Sequence, residues 1–168
     1  SNTSGYTASG VVAGESITAS LAYTDKNAGA GNKTIAVSNA TAGVNTSLSN
    51  YNVSYTNNTA STIDKASLTV AAVAQTKTYD GTTNVSNASG YTVTGLVSGE
   101  NVTASLAYAD KNAGAANKTI AVSTAVAGAN TSLSNYNVSY TNSTASTINQ
   151  ANLTITAGAQ TKTYDGNT

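Results

Sequence analysis

The chain of 168 residues contains no cysteine, histidine, proline, phenylalanine, tryptophan or methionine. Without histidine or cysteine, the Ser-His-Asp and Cys-His catalytic arrangements and the usual zinc sites cannot form. The core must therefore be built from Val, Ile, Leu, Ala and Tyr, with Tyr as the only aromatic residue. We expect no enzyme and no cofactor from this composition.

Charge is also scarce. The seven basic residues are all lysine, and seven carboxylates balance them to a net charge of zero. This argues against nucleic acid, which needs a basic patch, and no apolar run approaches the ~20 residues of a membrane helix. Residues 1–20 lack the features of a signal peptide, so we expect any export signal to lie outside them. Abundant Ser, Thr, Asn and Gly favours an extracellular bacterial surface or secreted protein.

The chain is a tandem repeat. Thr-Lys-Thr-Tyr-Asp-Gly occurs at 76–81 and again at 161–166, so Tyr79 and Tyr164 lie 85 residues apart. The same offset joins Tyr6 to Tyr91 and Tyr51 to Tyr136. Roughly three quarters of the aligned positions are identical, which indicates one module used more than once.

The Tyr-Asp-Gly motif is the candidate site of the sequence. Asp accepts hydrogen bonds from nearby backbone N–H groups, and Gly adopts positive φ at little cost, so the pair favours a tight turn. We interpret the motif as structural, with a ligand site at the Asp as the less favoured alternative. Its residues are Tyr79, Asp80 and Gly81 and, in the next copy, Tyr164, Asp165 and Gly166.

Alternating apolar positions predict short strands. The clearest pattern places Ile17, Ala19, Leu21 and Tyr23 on one face, and 102–108 repeat it. The loops at 25–29 and 110–114 contain turn formers and predict hairpins into the following strands. Further strands are predicted at 6–9, 51–55 and 68–72 and at their copies, with the tyrosines facing the core. No helical periodicity competes with this pattern, so the predicted fold is all-β, with tandem small Ig-like β-sandwich domains arranged end to end.

Predicted boundaries at Asp64-Lys65 and at Asn149-Gln150 divide the chain into three segments. The first segment, 1–65, is a repeat domain that lacks its first strand. The second, 66–149, is a complete domain. The third, 150–168, supplies the first strand and the Tyr-Asp-Gly turn of a following domain. Two explanations stay open: a window of a longer array, or exchange of 150–168 into the first segment of another copy.

Four motifs in fixed order resemble a known family: Lys-x-Tyr-Asp-Gly-Thr-Thr at 77–83, Tyr-x-Asp-Lys-Asn-x-Gly at 23–29 and 108–114, Asn-Tyr-x-Val at 50–53 and 135–138, and the Ala-x-x-Ile-x-x-Ala-x-Leu-Thr ends. Together they resemble the YDG repeat domain of bacterial surface and secreted adhesins, including filamentous haemagglutinin-like proteins of two-partner secretion systems. The resemblance implies an extracellular stalk or fibre module and no catalytic residues.

Three modifications or ions stay open as alternatives. A calcium site could form with Asp64 or Asp80 at a domain junction. A Lys–Asn isopeptide bond could use Lys33 or Lys77. Asn-x-Ser/Thr sequons could be glycosylated, although they arise by chance in such a composition; they include Asn32, Asn45, Asn52, Asn117, Asn130 and Asn137.

The expected function is a structural stalk or fibre repeat of a large adhesin or filament, which projects a binding tip and supports adhesion or biofilm cohesion. The expected partners are neighbouring repeats of the same chain or fibre. The alternative is a glycan- or matrix-binding repeat module.

Overall fold

The computed structural model describes residues 5–168, and its regular structure is β-strand apart from two single 3₁₀ turns. The predicted all-β class is therefore confirmed. The strands are β1 Ile17–Tyr23, β2 Gly29–Ala42, β3 Asn58–Ile63, β4 Ala66–Ala72, β5 Thr76–Thr78, β6 Tyr91–Thr94, β7 Val102–Tyr108, β8 Gly114–Ala127, β9 Tyr136–Thr141 and β10 Ser143–Asn149; the 3₁₀ turns are Leu48–Asn50 and Leu133–Asn135.

The strands form three sheets with the orders β1-β2-β3, β5-β10-β8-β7 and β6-β4-β9. The predicted hairpin across 25–29 is confirmed, because β1 and β2 pair antiparallel with Tyr23 opposite Ile35. β5 pairs with β10 in the parallel direction, with Thr76 opposite Thr147. No helix among the described residues is long and apolar enough to cross a membrane.

Alternation sets the burial of β7. Val102 and Tyr108 at its two ends are buried, while Thr103 and Ser105 between them are exposed. A strand with period two places every second side chain on the same face, so the sequence pattern predicts this arrangement directly.

Two predicted strands of the first segment are wrong, since 6–9 and 51–55 form no strand although their copies are β6 and β9. The physical reason is the order of the third sheet, in which β4 lies between β6 and β9. Residues 6–9 and 51–55 have no such strand between them, so their backbone groups gain no ladder.

The third segment likewise forms no strand, although 151–157 correspond to β4 in the repeat. A lone strand has no partner for its N–H and C=O groups, and its side chains stay exposed. The predicted turn at 164–166 is present without it.

The tyrosines do not all lie in the core. Tyr108 and Tyr136 are buried as predicted, but Tyr55 and Tyr140 are exposed. The reason is a hydrogen bond at the surface: the hydroxyl of Tyr140 accepts from the N–H of Ala125 at 2.8 Å, and that of Tyr55 accepts from Ala40 at 2.9 Å.

Residues pack into two compact units. One contains 5–69, 93–102 and 126–139 of the described chain, with Leu68, Val102 and Tyr136 as its buried apolar side chains. The other contains 70–92, 103–125 and 140–168, and its core is Tyr108, Ile120 and Ile148, against which Ala72, Val85 and Leu106 pack. Because the first unit takes residues from both sides of position 65 and the second from both sides of position 149, the predicted domain boundaries stay a prediction.

Candidate functional site: the Tyr-Asp-Gly turns and their ion pairs

The turn at 79–81 is closed by Asp80. Its Oδ1 accepts hydrogen bonds from the N–H and the Oγ1 of Thr82, both at 2.9 Å. Gly81 follows with φ of +78°, a left-handed conformation that costs glycine little. The local sequence therefore folds as predicted for an Asp-Gly turn.

Lys77 holds this turn to the second unit. Its Nζ donates to Asp80 Oδ1 and to the carbonyl oxygen of Thr82, each at 2.8 Å. The ammonium group also lies 5.4 Å from the centroid of the Tyr108 ring. Since only 7% of the Lys77 side chain is exposed, its aliphatic part packs while its charge is fully paired.

The Lys77 hydrogen bond, together with those from Thr82, lowers the pKa of Asp80 to about 2. Asp80 is consequently ionised at neutral pH and acts as a hydrogen-bond acceptor. A group that is ionised and already paired has little to offer as a general acid, so the geometry fits a structural turn.

The second turn forms without such packing. Lys162 Nζ lies 2.8 Å from Asp165 Oδ1 and donates to the carbonyl of Asn167 at 2.9 Å. The Lys162 hydrogen bond lowers the pKa of Asp165. Here the lysine side chain is 50% exposed, and Tyr164 is exposed too. The turn therefore forms from contacts among its own residues and does not depend on packing against a sheet.

Each hairpin loop contains a related ion pair that sequence reasoning missed. Asp110 accepts from the N–H of Asn112 at 2.9 Å, and Lys118 Nζ donates to its second oxygen at 2.6 Å. Asp25 and Lys33 form the same pair. These lysine hydrogen bonds lower the pKa of both aspartates. The available signal was a lysine eight positions after the aspartate in both copies.

A tyrosine–glutamate pair also went unpredicted. The hydroxyl of Tyr136 donates to Glu100 Oε2 and accepts from the N–H of Val97 at 3.1 Å. Tyr51 and Glu15 are paired in the same way in the first segment. Donation to the carboxylate raises the pKa of Tyr136 and of Tyr51. Both pairs are 36 residues apart, and that shared separation was the signal in the sequence.

The described residues, 5–168, contain no group of three His, Cys, Asp or Glu side chains close enough to hold a metal ion. Of the two aspartates considered for calcium, Asp80 is engaged by Lys77. The lysines considered for an isopeptide bond, Lys33 and Lys77, are each paired with an aspartate. The described arrangement thus closes turns and fixes loops.

One polar contact within the first unit joins the first and second segments. Asn135 Oδ1 accepts from the N–H of Ala28 at 2.9 Å, and Asn135 Nδ2 donates to Asn27 Oδ1 at 3.1 Å. Asn27 is itself held by Asp25, which accepts from both its N–H and its Nδ2 at 2.9 Å. The loop therefore presents one donor and one acceptor in fixed positions, and the Asn135 amide satisfies both.

No curated protein and no solved structure gives a significant match to the chain. A family model does match: residues 64–145 correspond to the YDG domain, and this supports the predicted YDG repeat. The matched range includes β4, the Tyr-Asp-Gly turn at 79–81 and the Asp110 loop. The stretch from Asp64 to Ala145, which includes the turn that Lys77 binds, is thus similar to the YDG domain family.

Proposed function

We propose that the chain is a structural repeat module of an extracellular bacterial stalk, fibre or filament, which spaces an adhesive tip from the cell or supports biofilm cohesion. In this proposal the repeats are small Ig-like β-sandwiches in tandem, joined end to end. Their partners are neighbouring repeats, and the role requires no catalysis, cofactor or nucleic acid. The YDG match over 64–145 is consistent with this setting.

The observation that carries the proposal is the contact of Asn135 with Asn27 and Ala28, because it joins two different surfaces of successive segments, the 25–29 loop of the first and the Asn135 turn of the second. A module that repeats with one period and touches the next through a fixed polar contact gives a regular array. Lys77 and Asp80 pair with each other inside the Tyr-Asp-Gly turn.

Arrays of two, four and six repeats test the proposal. Their contour lengths, measured by electron microscopy, should increase by the same amount for each added repeat. The Asn135→Ala change at every junction provides a matched variant with a weakened contact, and it should broaden the distribution of angles between repeats. Arrays that collapse, with lengths that do not follow repeat number, would refute the structural role.

A glycan- or matrix-binding module is the second candidate, and the exposed rings of Tyr55 and Tyr140 favour it. Exposed aromatic faces suit sugar stacking, and repeated weak sites gain avidity. The 168-residue chain on a glycan array distinguishes the two functions. Saturable binding that is lost in Tyr140→Ala but kept in Tyr164→Ala would favour the binding module.

A further inference from the structure

An open groove lies in the first segment, between the extended stretches 6–9 and 51–56. Its volume is about 530 Å³. Both stretches line it, and they are the copies of β6 and β9, which flank β4 elsewhere in the chain. The apolar side chains that line the groove include Ile17, Leu21, Ile35, Val37 and Val53.

In the second segment the corresponding place is filled by β4. Leu68 and Val70 are 0% exposed there, and Ser139 on β9 donates to the carbonyl oxygen of Leu68 at 3.2 Å. The next strand, β5, adds a parallel partner to β10. The difference is visible at equivalent tyrosines: Tyr108 is 2% exposed, whereas Tyr23 is 46% exposed.

The chain also contains a strand sequence that is not used. Leu-Thr-Ile at 153–155 corresponds to Leu-Thr-Val at 68–70, but Leu153 and Ile155 are 85% and 87% exposed. Two large apolar side chains at alternate positions of an extended stretch are typical of a strand that belongs inside a sheet. No strand fills the groove of the first segment, and residues 151–157 are not packed between two strands.

The polar contact that Asn135 makes with the Asn27 loop has unpaired counterparts at two other places in the chain. The N–H of Ala113 and the Oδ1 of Asn112 match the two groups that Asn135 binds on the Asn27 loop, and they have no hydrogen-bond partner among residues 5–168. Asn50, the copy of Asn135, has no side-chain hydrogen bond within that range. The free donor and acceptor at one end therefore fit the free amide at the other.

We propose that residues 151–157 of one copy of this chain insert between 6–9 and 51–56 of a second copy. Leu153 and Ile155 then occupy the places that Leu68 and Val70 hold in the second segment. By the same offset, 161–163 pair in parallel with 62–64, and Asn50 of the second copy binds Asn112 and Ala113 of the first. The inference rests on the proposed structural function and deepens it by naming the partner.

The occupant is a second copy because both halves of the joint are already present on the chain and complement each other. Each copy offers one strand and one groove at different places, so the contact is head to tail and can continue without closing. Adding a strand to an open sheet gives main-chain hydrogen bonds, and the pockets for alternate side chains set the register.

A disulfide tests the register. Thr69 Oγ1 lies 2.9 Å from Ser139 Oγ, so cysteines at these positions suit a disulfide. The equivalent pair in the proposed joint is Thr154 and Ser54. Because the chain has no cysteine of its own, Thr154→Cys with Ser54→Cys should give, after mild oxidation, a ladder of multimers on denaturing non-reducing gels. Each single variant can give no more than a dimer.

Three controls accompany the ladder. Thr69→Cys with Ser139→Cys should form its disulfide within one chain under the same oxidation. Thr156→Cys with Ser54→Cys, shifted by two residues, should crosslink at least tenfold less. Leu153→Asn with Ile155→Asn, added to the reporter pair, should abolish the ladder, while Thr154 stays available as cysteine. These changes lie on an exposed stretch, so the variant should still fold.

The proposal falls if the intrachain control oxidises and the Thr154–Ser54 pair gives only monomer. It also falls if the shifted pair crosslinks as well as the reporter pair, or if products stop at the dimer, which would mean a closed exchange. The result is separable from the array experiment: covalent arrays that lengthen regularly without any ladder would leave the structural function standing alone. A ladder of multimers together with collapsed arrays would support the strand insertion and refute the structural function.

Discussion

Lys77 and Tyr108 lie on different strands of one sheet, and the lysine ammonium group sits 5.4 Å from the centre of the tyrosine ring. Tyr108 is buried, and its hydroxyl donates to the carbonyl oxygens of Gln75 and Thr147 at 3.1 and 3.2 Å. The Tyr-Asp-Gly turn is thereby fixed on the core of the second unit through the residue two positions before its tyrosine.

Replacement of this lysine measures that attachment. Lys77→Ala removes a packed aliphatic chain, an ion pair and a cation–π contact, and should lower the free energy of unfolding by about 1–2 kcal/mol. Lys162→Ala is the matched control, since half of that side chain is exposed, and should change it by less than about 0.5 kcal/mol. Chemical denaturation of the unassembled chain checks both, and equal losses would contradict the assigned role of Lys77.

Acid should destabilise the second unit through Asp80. Its folded-state pKa is about 2, below the ordinary value of 3.8. Because the folded value is the lower one, the stabilisation from the Asp80 carboxylate is fully present above about pH 4 and is lost as the pH falls towards 2. Thermal unfolding between pH 6 and 2 should show this decline. Asp80→Asn should weaken it, and an unchanged slope in that variant would refute the prediction.

The tyrosine–glutamate pairs can be followed by alkaline titration. The carboxylate of Glu100 raises the pKa of Tyr136 by accepting its proton in a hydrogen bond. Glu100→Gln should therefore move one ultraviolet tyrosine titration to lower pH, towards about 10. Tyr136→Phe identifies the signal by removing it, and Glu15→Gln should have the same effect on Tyr51. No movement in either glutamine variant would mean that burial alone sets these pKa values.

A natural pair of residues tests backbone strain in the long strands. Ala116 has φ of +52°, and its counterpart in the first segment is Gly31 at +64°. Both N–H groups donate to a threonine hydroxyl, Thr147 and Thr62, so the two positions differ chiefly in the Cβ atom.

Ala116→Gly should accordingly raise the free energy of unfolding by about 1 kcal/mol, because glycine adopts positive φ without steric cost. Gly31→Ala should lower the free energy of unfolding by a similar amount. Nothing lies within 4 Å of the added Cβ, so the cost comes only from an alanine held at positive φ. Urea denaturation of both variants decides the point, and a shift of the same sign in both would contradict it.

The sequence predicted what depends on short-range pattern. Alternation predicted the strand ending at Tyr108, and turn formers predicted the loop at Asp110 and the turn at Asp80. It failed where a strand depends on a distant partner. Tyr6 and Tyr51 lie in segments as strand-like as their copies, but without a strand between them they have no ladder.

The candidate site was predicted in the same uneven way. Asp80 and Gly81 form the expected turn, yet the contact of Lys77 with Tyr108 spans 31 residues and has no local signature. The exposure of Tyr140 was also not predictable from the sequence, because it depends on the hydrogen bond between its hydroxyl and the backbone of Ala125. A period-two pattern assigns a face to a residue, and the hydrogen bond of a polar tip then decides its depth.

The parallel pairing of β5 with β10 has a mechanical consequence. β5 lies near the beginning of the second segment and β10 forms its end, with three residue pairs between them. Because the two strands run in the same direction, tension applied along the chain pulls them in opposite directions along their axes. It loads these paired positions together in shear and does not peel them apart one at a time. The β5–β10 pair therefore takes up a stretching force in shear.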